Sequence, residues 1–267
     1  MIKIENFEVV GWEHAIRGMR NPMNSWAKSD SLACCEQAPD CGDCPGLSED
    51  GQCNLINSAN YKSDPFVVGP NDHECMMKLR KAGPDHRKYM RYIEVYVDIT
   101  APLYWWKEFK TYRHGRKFMD DEDFFDYDDE LLEMHIEMNS CSTMHKIHEK
   151  EFTEEDFSFE DLKELPWDDC IFNFKASIYE TIGDLNIARE MFLKTKDPRY
   201  FRVMIQLLPS AYNQKRTVKM NYECLARMYR SRRKHKLIEW RELCKWIESL
   251  PYSEIITGVK TEELSNG

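Results

Sequence analysis

The chain has 267 residues, 42% hydrophobic, 12% aromatic and 31% charged, with 37 Lys and Arg against 47 Asp and Glu for a formal net charge of −10. That is enough apolar material for a true core and too many aromatics for disorder, while 11 Gly and 11 Pro exclude a collagen-like or linker-dominated polymer. No apolar run reaches the roughly 18 residues of a membrane span, and MIKIENFEVVGWEH lacks the basic-then-apolar layout of a secretion signal, so a soluble, cytoplasmic, single-domain protein over residues 1–267 is expected.

Residues 2–10 (IKIENFEVV) alternate and are β-branched, predicting an opening strand. His14–Arg20 carries a short helical pattern ending near Pro22. Residues 27–70, rich in Ser, Asp, Gly and Cys, predict a long loop holding five of the 10 cysteines: Cys34, Cys35, Cys41, Cys44 and Cys53. Cys41-x-x-Cys44 has the spacing for two thiolates to grip one ion, and Gly42, Pro45 and Gly46 permit a tight turn around it. Cys34 or Cys35 with Cys53 completes a four-sulfur set for structural zinc; the set Cys35, Cys41, Cys44 and Cys53 also suits an iron–sulfur cluster, or the cysteines are free or redox thiols. Nothing indicates the oxidising compartment that disulfides require. The other five, Cys75, Cys141, Cys170, Cys224 and Cys244, are scattered and read as small buried hydrophobes.

Asn71–Gly83 predicts a helix with a capping Asn, an apolar face of Met76, Met77 and Leu79, and a Gly stop. Tyr89–Thr100 alternates cleanly and is the clearest strand; Pro102 interrupts it, and Leu103–Tyr112 begins an aromatic-rich helix. Tyr104, Trp105 and Trp106 are expected at the surface, where a neighbouring subunit would cover them. An acidic insertion spans about 118–138, with eight acidic side chains among the 11 of DDEDFFDYDDE; Phe124, Phe125 and Tyr127 would pin it to the surface. A calcium loop is the sharper alternative, but the Gly turn and terminal Glu of an EF-hand are missing. Met138–Lys150 predicts a loop leading into a helix, Phe172–Leu193 and Pro198–Leu208 two helices about a turn at Lys196–Asp197. Val218–Leu250 predicts a longer helical run that breaks near Arg233–His235. The sum is α+β: an antiparallel sheet with a large helical layer and a predominantly helical C-terminal third.

Charge is unevenly spread: residues 118–169 hold 20 acidic and 3 basic side chains (−17), residues 201–250 hold 12 basic and 4 acidic (+8). Such an acidic chain with one basic segment suits a small phosphorylated ligand, not a long nucleic acid. The plainer reading is two solvated faces that pair with each other or with water. No Walker loop, GxGxxG, GxSxG or HExxH motif is present. His145-x-x-His148, on the predicted helix, is a weak metal signal. Asn139-Ser140-Cys141-Ser142-Thr143-Met144-His145 gathers small donors that satisfy backbone groups at a helix start and equally suit a phosphate. Arg232 lies seven residues beyond Leu225, on the core-facing side of the basic helix that also carries Arg227 and Arg230, where an arginine calls for an anionic or carbonyl partner or snorkels outward.

Two distant segments together resemble the flavin-dependent thymidylate synthases (ThyX). Val95–Arg113 (VYVDITAPLYWWKEFKTYR) looks like that family's strand, Ala-Pro and helix leading into its RHRxxSxNExSxRY signature. Leu207–Trp240 is similar to its LP…TxNxRxLxxFLxLR…AQxEI segment, with Leu208-Pro209, Asn221, Leu225 and Arg232 in register without a gap. Arg17 and Arg20 in AIRGMR resemble its N-terminal Arg-containing helix. The signature is altered: Thr111-Tyr112-Arg113 stands for Arg-His-Arg, and Asn139-Ser140-Cys141-Ser142 keeps the Asn and the Ser but loses the Glu and a later Arg.

The resemblance implies a ThyX-like fold, an enzyme using FAD, methylenetetrahydrofolate and NADPH, and a homotetramer with shared sites. It implies that Arg232 polarises a pyrimidine ring and that Ser142, with Ser140, Arg113 and Arg230, holds the nucleotide. Asn221, Asn139, Arg17 and Arg20 would meet the flavin. One-carbon transfer to C5 of a pyrimidine deoxynucleotide, dUMP to dTMP by default, is the leading expectation. The alternatives are a non-catalytic nucleotide- or partner-binding protein on the same fold, and a metal-organised factor centred on Cys41 and Cys44.

Overall fold

The computed structural model describes residues 2–33, 66–115, 132–133, 136–166 and 168–259. The cysteine set Cys35, Cys41, Cys44 and Cys53 and the acidic run 120–130 lie outside the described residues. In chain order the elements are β1 (Lys3–Val10), α1 (Trp12–Arg20), β2 (Leu32–Ala33), β3 (Phe66–Val67), α2 (Pro70–Lys81), β4 (Glu94–Pro102) and α3 (Leu103–Phe109). There follow β5 (His114–Gly115), β6 (Leu132–Glu133), β7 (Glu137–Ser140), α4 (Glu160–Glu164), α5 (Asp169–Thr195) and α6 (Pro198–Leu207). The chain then runs through β8 (Asn213–Asn221), α7 (Tyr222–Arg232), α8 (Ile238–Glu248) and α9 (Glu254–Thr257).

The main sheet has the order β1-β4-β8-β7, flanked in the chain by the two-stranded pairs β2·β3 and β5·β6. Leu103 N–H donates to Tyr212 C=O at one end of the β4·β8 pair and Tyr222 N–H to Ile93 C=O at the other, both 3.0 Å, so the two strands run antiparallel. Each alternates: Val95, Val97, Ile99 and Ala101 are buried on β4, and Gln214, Arg216, Val218 and Met220 on β8. The fold is α+β, as the residue pattern predicts.

Several boundaries differ from expectation, each for a local reason. The α2 helix starts at Pro70 with Gly69 as its cap, so Asn71 is not the capping residue; the carboxylate of Asp30 accepts the N–H groups of Asn71 and Asp72 instead. A side chain at residue 69 would collide with Asp30, which fixes glycine there. Residues Lys88–Arg91 form a 3-10 turn in place of the first residues of the expected strand, burying Tyr89 and Met90 together and donating the Tyr89 hydroxyl to Met76 C=O at 2.8 Å. Residues 213–221 are a strand whose last four residues stand in place of the start of the expected long helix, while the expected break separates α7 from α8. No helix includes His145 or His148; residues 143–150 are turns and bends. Trp105 and Trp106 are 0% and 1% exposed, packed edge to face at 4.8 Å and joined by Phe109, so they need no neighbouring subunit to cover them.

The chain forms two compact units. One comprises Ile4–Asp98, Thr111–Met138 and Thr217–Gly267. Its core gathers Trp12, Ile16 and Met19 of α1, Met76 of α2, and Tyr222, Leu225, Met228, Trp240, Leu243 and Ile247 of α7 and α8. The α9 turn is locked onto α2: Arg80 donates to the carbonyls of Ile255 (2.7 Å) and Ile256 (2.9 Å), and His73 meets Glu254 at 2.7 Å. The second unit comprises Met1–Lys3, Ile99–Lys110 and Asn139–Arg216. In it α5 packs on α6, and Leu185, Ala188 and Met204 close over Ile147, Phe152 and Phe157.

Candidate functional site

In the first unit the apolar face of α7, carried by Leu225, Met228 and Tyr229, continues at helical spacing to Arg232. The helix ends there because the chain turns: His235 N–H donates to Arg232 C=O at 2.9 Å, and α8 then presents Trp240. Arg232 Nε donates to the Tyr112 hydroxyl at 2.6 Å. The guanidinium carbon sits 4.8 Å from the Trp240 ring centre and 5.3 Å from that of Tyr112. A phenol oxygen and two aromatic faces thus help to seat the arginine and fix the plane of its guanidinium.

Asn221 is 8% exposed and caps α7, its Oδ1 accepting Cys224 N–H at 3.0 Å. Arg230 is exposed on the outer face of α7, Arg17 is exposed on α1, and Arg113 ends the 3-10 turn that follows α3. Arg20 is 5% exposed and bound to Asp72, with Nε and Nη2 each 2.8 Å from Oδ1. Asp72 Oδ2 also accepts Ser29 Oγ and Ser31 Oγ at 2.7 Å and the N–H groups of Asp30 and Ser31 at 3.2 Å. Burial pushes the Asp72 carboxyl up, but the bonds from Ser31, Ser29 and Arg20 outweigh it and hold the group below its ordinary value.

In the second unit Asn139 and Ser140 are exposed at the end of β7, and Ser142 opens the turn beyond it. Ser142 Oγ accepts Met144 N–H (3.2 Å) and His145 N–H (2.8 Å), so these two backbone donors of the turn are already used. With its lone pairs so engaged, the hydroxyl offers a ligand its proton, the match for a phosphate oxygen. His145 is exposed, while His148 is half-buried and packs edge-on against Phe192 and Phe201 at 5.0 and 5.6 Å, so the two differ in setting and do not read as a ligand pair.

The residues missed in the sequence are Tyr112, Trp240, Gln214 and Arg216. Gln214 and Arg216 were legible only through the two-residue period they share with Val218 and Met220, which their polarity masks. Among the described residues no cluster of three or more His, Cys, Asp or Glu could hold a metal, and no helix is long and apolar enough to cross a membrane.

No family model matches the chain, and no curated protein matches it in sequence. Among solved structures it is similar in fold to the flavin-dependent thymidylate synthase class. The flavin dependent thymidylate synthase ThyX from Helicobacter pylori, complexed with FAD and dUMP, is 13% identical with a TM-score of 0.53, covering 95% of this chain and 96% of that one. A second structure of Helicobacter pylori Thymidylate Synthase X with FAD and dUMP is 12% identical with a TM-score of 0.55, covering 96% of both. The chain therefore has the ThyX fold over nearly its whole length.

Proposed function

We propose that the protein transfers a one-carbon unit to C5 of a pyrimidine deoxynucleotide by flavin-dependent chemistry, with dUMP to dTMP the default reaction. The observation that carries this reading is the Arg232 guanidinium, fixed by Tyr112 and Trp240 on the helix that the resemblance assigns to the pyrimidine. Uracil C5 is a poor partner for carbon transfer until electron density is drawn toward the ring carbonyls. A guanidinium already oriented stabilises that developing charge without reorganising at the moment of reaction. Ser142 donates its hydroxyl proton to the nucleotide phosphate, and Ser140, Arg113 and Arg230 complete the substrate set.

The residues present suit a flavin. Asn221 uses its Oδ1 on the helix cap, which leaves its amide nitrogen as a donor for a flavin carbonyl, and Arg17 is an exposed cation for a pyrophosphate. Asn139 joins this set, whereas Arg20 acts through Asp72, holding residues 28–31 in place. Reduced FAD, when bound, supplies the hydride, with NADPH as the reductant and methylenetetrahydrofolate as the carbon donor. The reading extends to a cytoplasmic homotetramer, with zinc on Cys35, Cys41, Cys44 and Cys53 as a staple.

A second reading, a nucleotide-binding protein without catalysis, is favoured by Tyr112 standing where the family has His, its hydroxyl occupying one N–H of Arg232. Absorbance of the purified protein near the flavin bands, before and after adding FAD, with dUMP calorimetry beside it, separates the two. Flavin and dUMP binding together support the enzyme; dUMP binding without flavin supports the second reading and overturns the first.

A further inference from the structure

The inward face of β8 carries two polar side chains, Gln214 and Arg216, only 6% exposed each, where Val218 and Met220 mark the pattern of a core strand. Burying an amide and a guanidinium costs solvation that two apolar residues would not incur. Their bonds form a directed series. The Arg216 guanidinium lies 4.3 Å from the Trp106 ring centre and donates from Nε (3.1 Å) and Nη2 (2.7 Å) to Gln214 Oε1. An amide whose oxygen is held by a cation can present only its nitrogen on the other side. Gln214 Nε2 accordingly donates to Cys141 C=O at 2.6 Å, while Cys141 N–H donates to Lys215 C=O at 3.0 Å. Trp106 closes the series, its Nε1 donating to Gln214 C=O at 2.9 Å. Cys141 is thus gripped at both its amide and its carbonyl, immediately before Ser142.

The geometry points to Gln214 as a positioning residue for the Ser142 turn, with Arg216 fixing the orientation of its amide; the functional part of this inference rests on Ser142 holding the nucleotide phosphate. Neither residue touches the ligand. Their role is to hold the peptide from which the Ser142 hydroxyl projects, so that its proton meets a phosphate oxygen without a search.

Gln214→Glu isolates the effect. The carboxylate keeps the size of the amide and the bond to Arg216, yet it cannot donate to Cys141 C=O. Two readouts are made on the full-length protein: the rate at which maleimide labels the exposed Cys141, followed by peptide mass spectrometry, and the dUMP dissociation constant. The expected result is a protein that still unfolds in one cooperative transition, with Cys141 labelled about fivefold or more faster and dUMP bound about tenfold more weakly. Unchanged labelling in a folded Gln214→Glu protein overturns the positioning role. Faster labelling with dUMP affinity intact overturns its link to the nucleotide. Should the unaltered protein fail to bind dUMP, the functional reading fails while the labelling rate still decides whether Gln214 holds the turn.

Discussion

Asp72 has no exposed surface and collects Arg20, two serine hydroxyls and two backbone N–H groups on one carboxylate. Replacing it by Asn strands the Arg20 guanidinium in the core, and a loss of about 3–5 kcal/mol in urea unfolding at neutral pH is expected. Because the folded-state group lies below its ordinary value of 3.8, its contribution is complete above that value and disappears as pH falls through the folded one. The slope of stability against pH below about 4 is therefore expected to be shallower in Asp72→Asn than in the unaltered protein. At Arg232, Tyr112→Phe keeps the ring but removes the oxygen that holds Nε. If Arg232 polarises the pyrimidine, turnover falls about tenfold with KM changed much less, because the loss is felt as charge develops. Arg232 was legible from its spacing to Leu225, since a helix fixes which side of itself an i+7 residue occupies. The partner of Arg20 was not, because Asp72 lies 52 residues away along the chain and no local pattern couples them.

At the scale of the elements, α5, α6 and the break between α7 and α8 follow from apolar periodicity and turn residues. Residues 218–221 of β8 fit the expected helix because Val218 falls in step with Leu225, and Gln214 and Arg216 hide the two-residue period before them. The expected helix at His145 gives way to a turn in which Ser142 takes the N–H groups of Met144 and His145, a local bond competing with helix continuation. Asn221 joins β8 to α7 and carries two roles on two atoms. Ser at this position keeps a capping oxygen but has no amide, so Asn221→Ser is expected to retain stability and weaken FAD binding. Asn221→Ala loses both and costs about 1 kcal/mol in thermal or urea unfolding as well. Equal FAD affinity in all three proteins excludes the flavin contact.

Across the whole molecule, the fold is shared with solved structures of 12–13% identity, so one backbone arrangement is compatible with very different side chains. The acidic and basic blocks of −17 and +8 are separated along the chain, a feature of the sequence alone. If zinc staples the long cysteine-bearing loop, metal analysis returns about one zinc per chain, and Cys41→Ser with Cys44→Ser removes it. Light scattering reads the subunit number directly, and a mass of four chains is the outcome that supports shared sites.

The lock between α2 and the last described turn has a practical corollary for anyone shortening the protein. Glu254 is held below its ordinary value by His73 against the pull of burial, and Arg80 spends its donors on two carbonyls of the same turn. Removing residues 254–258 is therefore expected to lower the unfolding temperature abruptly, a cliff and not a slope. A shortened chain ending at 253 would leave a guanidinium and an imidazole facing each other over an empty berth.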